Sequence, residues 1–223
     1  MTETTTETTT ETTETTVVRE APEDALLVVV DVQNDFCHPA GTMAAAGRDL
    51  TAVHRAVDRI EVLVDAARGA DVPVVFVRTE HGPGLDSAAW RHRLAPGIGP
   101  GFEPAGPNCR RGGWGAEFYR VAPRPGEWVA VKHRYSAFTG PGFVERLAGH
   151  GRRSLLFCGV TTDVCVESSL RSAVDHDYLA TLVEDACAAY TEAEHAASVA
   201  VVERSFGRAV ATDALVGRWR RRS

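Results

Sequence analysis

Apolar runs and stretches of helical periodicity alternate along this chain. "ALLVVVDV" (25–32) is continuous and β-branched, the pattern of a strand buried on both faces. Similar runs predict strands at 73–79 ("PVVFVRT"), 127–133 ("EWVAVKH"), 154–159 ("SLLFCG"), 178–185 ("YLATLVED") and 208–212 ("RAVAT"). Between the first two, Leu50, Val53, Val57, Ile60, Val64 and Ala67 recur at helical spacing over 49–70, with Asp49 placed to cap the start and Gly69 near the end. Further helices are predicted at 141–150, 163–177 and 191–206. Residues 80–113 hold many Gly and Pro and little periodicity, so a long irregular segment is expected there. Strands alternating with helices imply a parallel sheet covered on both faces: one doubly wound, three-layer α/β/α domain with a mostly parallel, Rossmann-like sheet, over 21–217. Strand order is not legible from the pattern.

Composition adds boundaries to this picture. With 223 residues, 44% hydrophobic and 24% charged, the chain has material for one sizeable core. The net charge of −6 is uneven: the first 16 residues hold four Glu and no Lys or Arg, and "RWRRRS" at 218–223 holds four Arg. The Thr/Glu-rich stretch 1–20 reads as a disordered, solvating tail and 218–223 as a basic, frayed end. The remaining body is mildly acidic, which argues against nucleic acid as a partner. No run approaches the ~18 apolar residues of a membrane span. The tail has neither an apolar h-region nor an Arg-rich amphipathic pattern, so the expectation is a cytoplasmic protein. Five scattered cysteines without a C-x-x-C argue against a disulfide framework and against structural zinc.

In open parallel sheets, ligands bind beyond the carboxyl ends of the strands. There the first strand ends at Asp31, the third at Lys132, and the fourth leads over a Gly159–Asp163 corner to Cys165 at a predicted helix start. Each has an ordinary explanation alone: a turn-forming Asp, a snorkelling Lys, a buried Cys. Together on one rim they describe a nucleophile with a base and a charge stabiliser. A helix N-terminus and a nearby Lys predict a lowered thiol pKa and alkylation well below pH 8. His133, the histidine nearest to this set, neighbours Lys132 in a strand and is expected to face the other way.

The segments "LLVVVDVQNDFC", "VAVKHRYSAF" and "LLFCGVTTDVCVESSLRSA" resemble, in order, the three signature segments of the isochorismatase-like cysteine hydrolases, and the resemblance spans roughly 25–212. It implies a six-stranded parallel sheet and a catalytic triad of Asp31, Lys132 and Cys165. It also implies a cis peptide at Val160–Thr161, an oxyanion hole of the Thr161 and Cys165 N–H groups, and a homodimer or homotetramer. "KHRYSAF", "GVTTDVCVES" and "GGWGAEF" look most like ureidoacrylate and related N-carbamoyl amidohydrolases. "VRTEHGPG" lacks the Asp-x-His metal motif of nicotinamidases, so no metal or cofactor is called for. By the same resemblance Asn34, Phe36, Trp114 and Tyr135 are candidate substrate-binding residues, with core packing the alternative for Phe36 and Trp114. Glu80 and His81, at the end of the second strand, join them as candidates to read a polar group. Arg171 is expected to pair with Glu167. The implied activity is metal-independent hydrolysis of a C–N bond in a small amide or ureido compound through a thioester. The alternatives are isochorismatase-type vinyl-ether hydrolysis, a lactam or amide hydrolase of a secondary-metabolite pathway, and a non-enzymatic redox-sensing or binding homologue.

Overall fold

The computed structural model describes residues 19–93 and 108–221. The stretch expected as a tail lies outside the described residues up to 18, as do 94–107 of the irregular segment and the last two residues.

Six strands form one sheet: β1 (Ala25–Val30), β2 (Val74–Thr79), β3 (Trp128–Lys132), β4 (Ser154–Val160), β5 (Leu179–Ala188) and β6 (Gly207–Val210). Their order is β3-β2-β1-β4-β5-β6, and every pairing is parallel. The helices are α1 (Asn34–Cys37), α2 (Thr42–Ala45), α3 (Thr51–Gly69), α4 (Ala88–His92), α5 (Phe143–Gly149), α6 (Glu167–Asp175), α7 (Glu192–Ser205) and α8 (Thr212–Arg220).

This order explains the three layers. From β1 the chain moves outward through α3 to β2, and from β4 it moves the opposite way through α6 to β5. Right-handed crossovers in opposite directions put their helices on opposite faces. α3 and α8 accordingly pack together across β1, β4 and β5, while α6 packs on β4 and β5. Every residue of β1 and of β4 is buried, as their unbroken apolar runs predict. β3, at the sheet's edge, alternates buried with exposed positions. The six apolar positions predicted for the long helix are all buried, and Asp49 accepts a hydrogen bond from Thr51 N at 2.8 Å.

Two ends depart from expectation within the described residues. Glu20, inside the stretch expected as a tail, is buried; it pairs with Arg218 and, at 3.6 Å, with Arg208. Trp219 is buried and donates from Nε1 to the Glu20 carbonyl at 2.7 Å. The basic segment thus contributes the last turn of α8, whose buried Leu215, Val216 and Trp219 outweigh the cost of ordering a charged end.

The sheet's switch point lies between β1 and β4, where the strand order reverses. Gly159 sits beside Val30 there at φ +125°, and a Cβ on it would stand 2.0 Å from the Val30 carbonyl oxygen. Only glycine fits this crossing. It opens a corner that continues through a cis Val160–Thr161 peptide.

Candidate active site

Beyond the switch point a cavity of about 380 Å3 opens over the carboxyl ends of β1, β2, β3 and β4. Asp31 follows β1 at φ +54°, its backbone N–H held by the Val77 carbonyl at 2.9 Å. Lys132 ends β3, two strands away. In register with it on β2, between them, stands Thr79. The Lys132 ammonium crosses the end of β2 to donate to Asp31 Oδ2 (2.6 Å), Thr79 Oγ1 (2.5 Å) and the Arg134 carbonyl (3.1 Å). Thr79 Oγ1 in turn donates to Asp31 Oδ2 at 3.3 Å. Gln33 fixes this strand end, donating from Nε2 to the Thr79 and Ala116 carbonyls and accepting from Thr79 N. Asp31 and Lys132 are both fully buried.

Cys165 comes from the corner after β4. Residues Thr162–Val166 form one π-helical turn that leads directly into α6, so the predicted helix divides in two. Val164 N and Val166 N both bond the Thr161 carbonyl, and Ser169 Oγ donates to the Cys165 carbonyl at 2.7 Å. The turn is braced from outside by Thr162 Oγ1 against His195 Nδ1 at 2.9 Å and by Ser198 against Glu167. Glu167 also pairs with Arg171, as expected. Cys165 is partly exposed on the cavity wall, whereas Cys37, Cys109, Cys158 and Cys187 are buried and free.

The electrostatics differ from the expectation of a lowered thiol pKa. Burial, followed by the Asp31 charge, pushes the Cys165 thiol well above its ordinary value, and Lys132 only partly offsets this. Burial alone lowers the Lys132 ammonium, but the Asp31 charge and Cys165 outweigh it and leave it raised. The resting thiol is therefore protonated, beside the buried Asp31–Lys132 pair. Lys132 and Thr79 occupy Asp31 Oδ2; Oδ1 is buried without a hydrogen-bond partner.

The structure brings the buried Asp31 and Lys132 beside Cys165, and Cys165, Thr161, Phe36, His81 and Tyr135 line one cavity. The other candidates lie elsewhere. Asn34 is buried and donates to the Trp114 carbonyl at 2.9 Å. Glu80 is buried between Arg78 (2.6 Å) and Arg111 (3.1 Å), clamping the strand end. Trp114 is 47% exposed and meets the edge of His38. His133 turns away to donate to the Glu80 carbonyl at 2.8 Å.

Sequence reading missed Thr79, Asp163, Tyr190, Glu194 and the guanidiniums Arg48, Arg93 and Arg134 on the cavity wall. Arg93 donates to Tyr135 Oη at 2.8 Å and lies 3.9 Å over the Trp90 ring; Arg134 reaches the same ring at 5.0 Å. None of the three guanidiniums is ion-paired among the described residues. Trp90 is held in turn by stacking on His81, which Asp86 orients at 2.7 Å.

Residues 25–214 match the Isochorismatase domain model. The chain belongs to the isochorismatase family. Among its relatives is the ureidoacrylate amidohydrolase RutB of Azorhizobium caulinodans, 36% identical over 205 residues, covering 84% of this chain and 86% of that protein. The corresponding protein of Variovorax paradoxus is 35% identical over 82% of this chain and 77% of its own. An isochorismatase family protein from Desulfovibrio vulgaris superposes with a TM-score of 0.72 at 26% identity, over 87% of this chain and 97% of that one. A cysteine hydrolase from Pseudomonas syringae shares the fold with a TM-score of 0.76 at 24% identity, over 91% and 95%. The six-stranded, doubly wound sheet expected of an isochorismatase-family member is the sheet observed, with all pairings parallel.

Proposed function

We propose that this chain is a cysteine amidohydrolase that cleaves the C–N bond of a small amide or N-carbamoyl compound. The observation that carries the reading is the thiol beside a buried Asp–Lys pair at the sheet's switch point, in a chain similar to ureidoacrylate amidohydrolases. Asp31 Oδ1, the unpaired lone-pair donor of the site, accepts the thiol proton as sulfur adds to the substrate carbonyl. The N–H groups of Thr161 and Cys165 stabilise the oxyanion. As the C–N bond breaks, Asp31 returns the proton to the leaving nitrogen, which departs as ammonia or an amine. Water, deprotonated by Asp31, then attacks the thioester, or the S-carbamoyl adduct of a ureido substrate. Carboxylate or carbamate leaves and the thiol is reprotonated. Lys132 stays ammonium throughout, holding Asp31 and the passing thiolate in place.

The wall of Arg48, Arg93 and Arg134 suits a substrate that carries an anionic group, which ureidoacrylate does. Ureidoacrylate, biuret, nicotinamide, a lactam and isochorismate, assayed with the wild type and Cys165→Ala, test the reading. C–N cleavage of a ureido or amide compound, lost in Cys165→Ala, is expected. Full activity of Cys165→Ala, or turnover of isochorismate alone, overturns it.

A further inference from the structure

The turn that carries Cys165 is held only loosely by two of its own backbone bonds. Val164 N and Val166 N reach the Thr161 carbonyl at 3.3 and 3.2 Å, long against the about 2.9–3.0 Å of an ordinary N–H···O bond. Side chains add to this support. On the α6 side Ser169 donates to the Cys165 carbonyl at 2.7 Å. On the other side α7 grips Thr162 twice, from positions three apart on one helix face. His195 Nδ1 shares a 2.9 Å hydrogen bond with Thr162 Oγ1, and Ser198 Oγ donates to the Thr162 carbonyl at 3.3 Å. Thr162 is fully buried, so its hydroxyl has no solvent to fall back on if His195 is removed.

Thr162 directly follows Thr161, whose N–H is an oxyanion donor in the reading above, and it opens the turn that ends beyond Cys165. His195 touches this turn from behind. It lines a second cavity, of about 460 Å3, walled by α3, the end of β5 and the start of α7, and not the one over Cys165. Any effect of His195 on the chemistry therefore passes through Thr162. Resting on the hydrolase reading above, we propose that His195 is a positioning residue: through the Thr162 hydroxyl it holds the Thr161 N–H, the Cys165 N–H and the Cys165 sulfur in register for addition to the carbonyl. Misplacing reacting groups by about 1 Å can cost about 100-fold in rate. The bond serves the geometry of reaction and not substrate affinity, so its loss belongs in kcat and not in KM.

The assay uses whichever of the five compounds named above the wild type cleaves fastest. His195→Ala, and Thr162→Val, which replaces the hydroxyl by a methyl, should each lower kcat by up to about 100-fold with KM little changed. Both remove one and the same bond, so the double variant should lose no more than the worse single. His195→Asn, which keeps a hydrogen-bonding atom at the place of Nδ1, should retain most of the rate and guards against a folding defect in the alanine variant. Removing the ring joins the second cavity to the Thr162 hydroxyl, so added imidazole should restore His195→Ala but not His195→Ala/Thr162→Val. Iodoacetamide labelling, counted by mass spectrometry, reads the same turn without substrate. A released turn relieves the burial of Cys165, whose thiolate gains about 10-fold for each unit its pKa falls. Cys165 should then alkylate faster at pH 7 in either single variant, and no faster in the double, while the four buried cysteines stay unlabelled. If the wild type cleaves none of the five compounds yet alkylation shows this pattern, the hydrolase reading fails and the positioning role stands. Wild-type kcat in His195→Ala or Thr162→Val, losses that multiply in the double variant, or wild-type alkylation rates in both singles overturn it.

Discussion

Replacing Lys132 by Met tests whether the Asp31–Lys132 pair is a true buried ion pair. Both side chains have essentially no solvent exposure, and Nζ lies 2.6 Å from Oδ2. Without the ammonium, the Asp31 carboxylate keeps one long hydrogen bond, from Thr79 at 3.3 Å, while Oδ1 already has none. Breaking a buried pair from one side costs about 3–5 kcal/mol, because the surviving charge is neither solvated nor compensated. For a domain of this size that lowers Tm by about 6–20 °C, at 2–4 °C per kcal/mol. Asp31→Asn should cost less, since Lys132 keeps the Thr79 hydroxyl and the Arg134 carbonyl as acceptors; Asn also tolerates the φ of +54°. The double variant removes both charges and should recover at least about 2 kcal/mol relative to the sum of the singles. Urea unfolding of the four proteins at pH 7 closes the cycle. Additivity to within about 0.5 kcal/mol, or a Lys132→Met cost under about 1 kcal/mol, would refute the buried pair.

Thiol reactivity follows the same charges. Asp31 raises the Cys165 thiol and Lys132 lowers it, so Asp31→Asn should move the pH midpoint of iodoacetamide alkylation down and Lys132→Met should move it up; the opposite signs would contradict the arrangement. Wild-type Cys165 should alkylate slowly at neutral pH, because burial and Asp31 keep it protonated. Gly159→Ala sets a Cβ 2.0 Å from the Val30 carbonyl oxygen at a φ of +125°, and should destabilise by more than about 3 kcal/mol in urea unfolding. Arg93→Leu should lower kcat/KM for a carboxylate-bearing ureido substrate about 10-fold or more relative to its neutral methyl ester, the loss of one hydrogen bond to a charged group; an unchanged ratio would remove Arg93 from substrate recognition.

The sheet was legible because its strands are buried on both faces: Ala25–Val30 and Ser154–Val160 need unbroken apolar runs, and such runs show in sequence. The meeting of Asp31, Lys132 and Cys165 was legible because each ends or follows a strand, and a parallel sheet delivers all strand ends to one rim. Cavity composition was not. Arg48, Arg93 and Arg134 come from three separate segments, and nothing local distinguishes a guanidinium over Trp90 from one in solvent. The thiol's environment was misjudged for a related reason. Proximity to a helix start and a lysine says lowered pKa, but the dominant effect is burial, to which the Asp31 charge expected on the same rim adds. Asn34 and Trp114 are adjacent to site segments in sequence, yet the chain uses them to hold the 109–118 segment against α1.

A protonated resting thiol is not an obstacle to catalysis but a consequence of how the charge is arranged. The site contains one buried cation, Lys132, and two groups that can be anionic, Asp31 and Cys165. Burial makes two anions beside one cation costly, so the ammonium compensates one negative charge at a time. At rest that charge is on Asp31. On the proposed mechanism the proton moves from sulfur to Oδ1 and the charge to Cys165, still within reach of the same ammonium. The transfer changes which partner Lys132 serves without changing the net charge of the buried site. Thr79, accepting from Lys132 at 2.5 Å and donating to Asp31 at 3.3 Å, ties the ammonium to the Asp31 carboxylate. A thiolate formed only once an electrophilic carbonyl is present is also shielded from adventitious alkylation and oxidation between turnovers, reactions whose rates follow thiolate character.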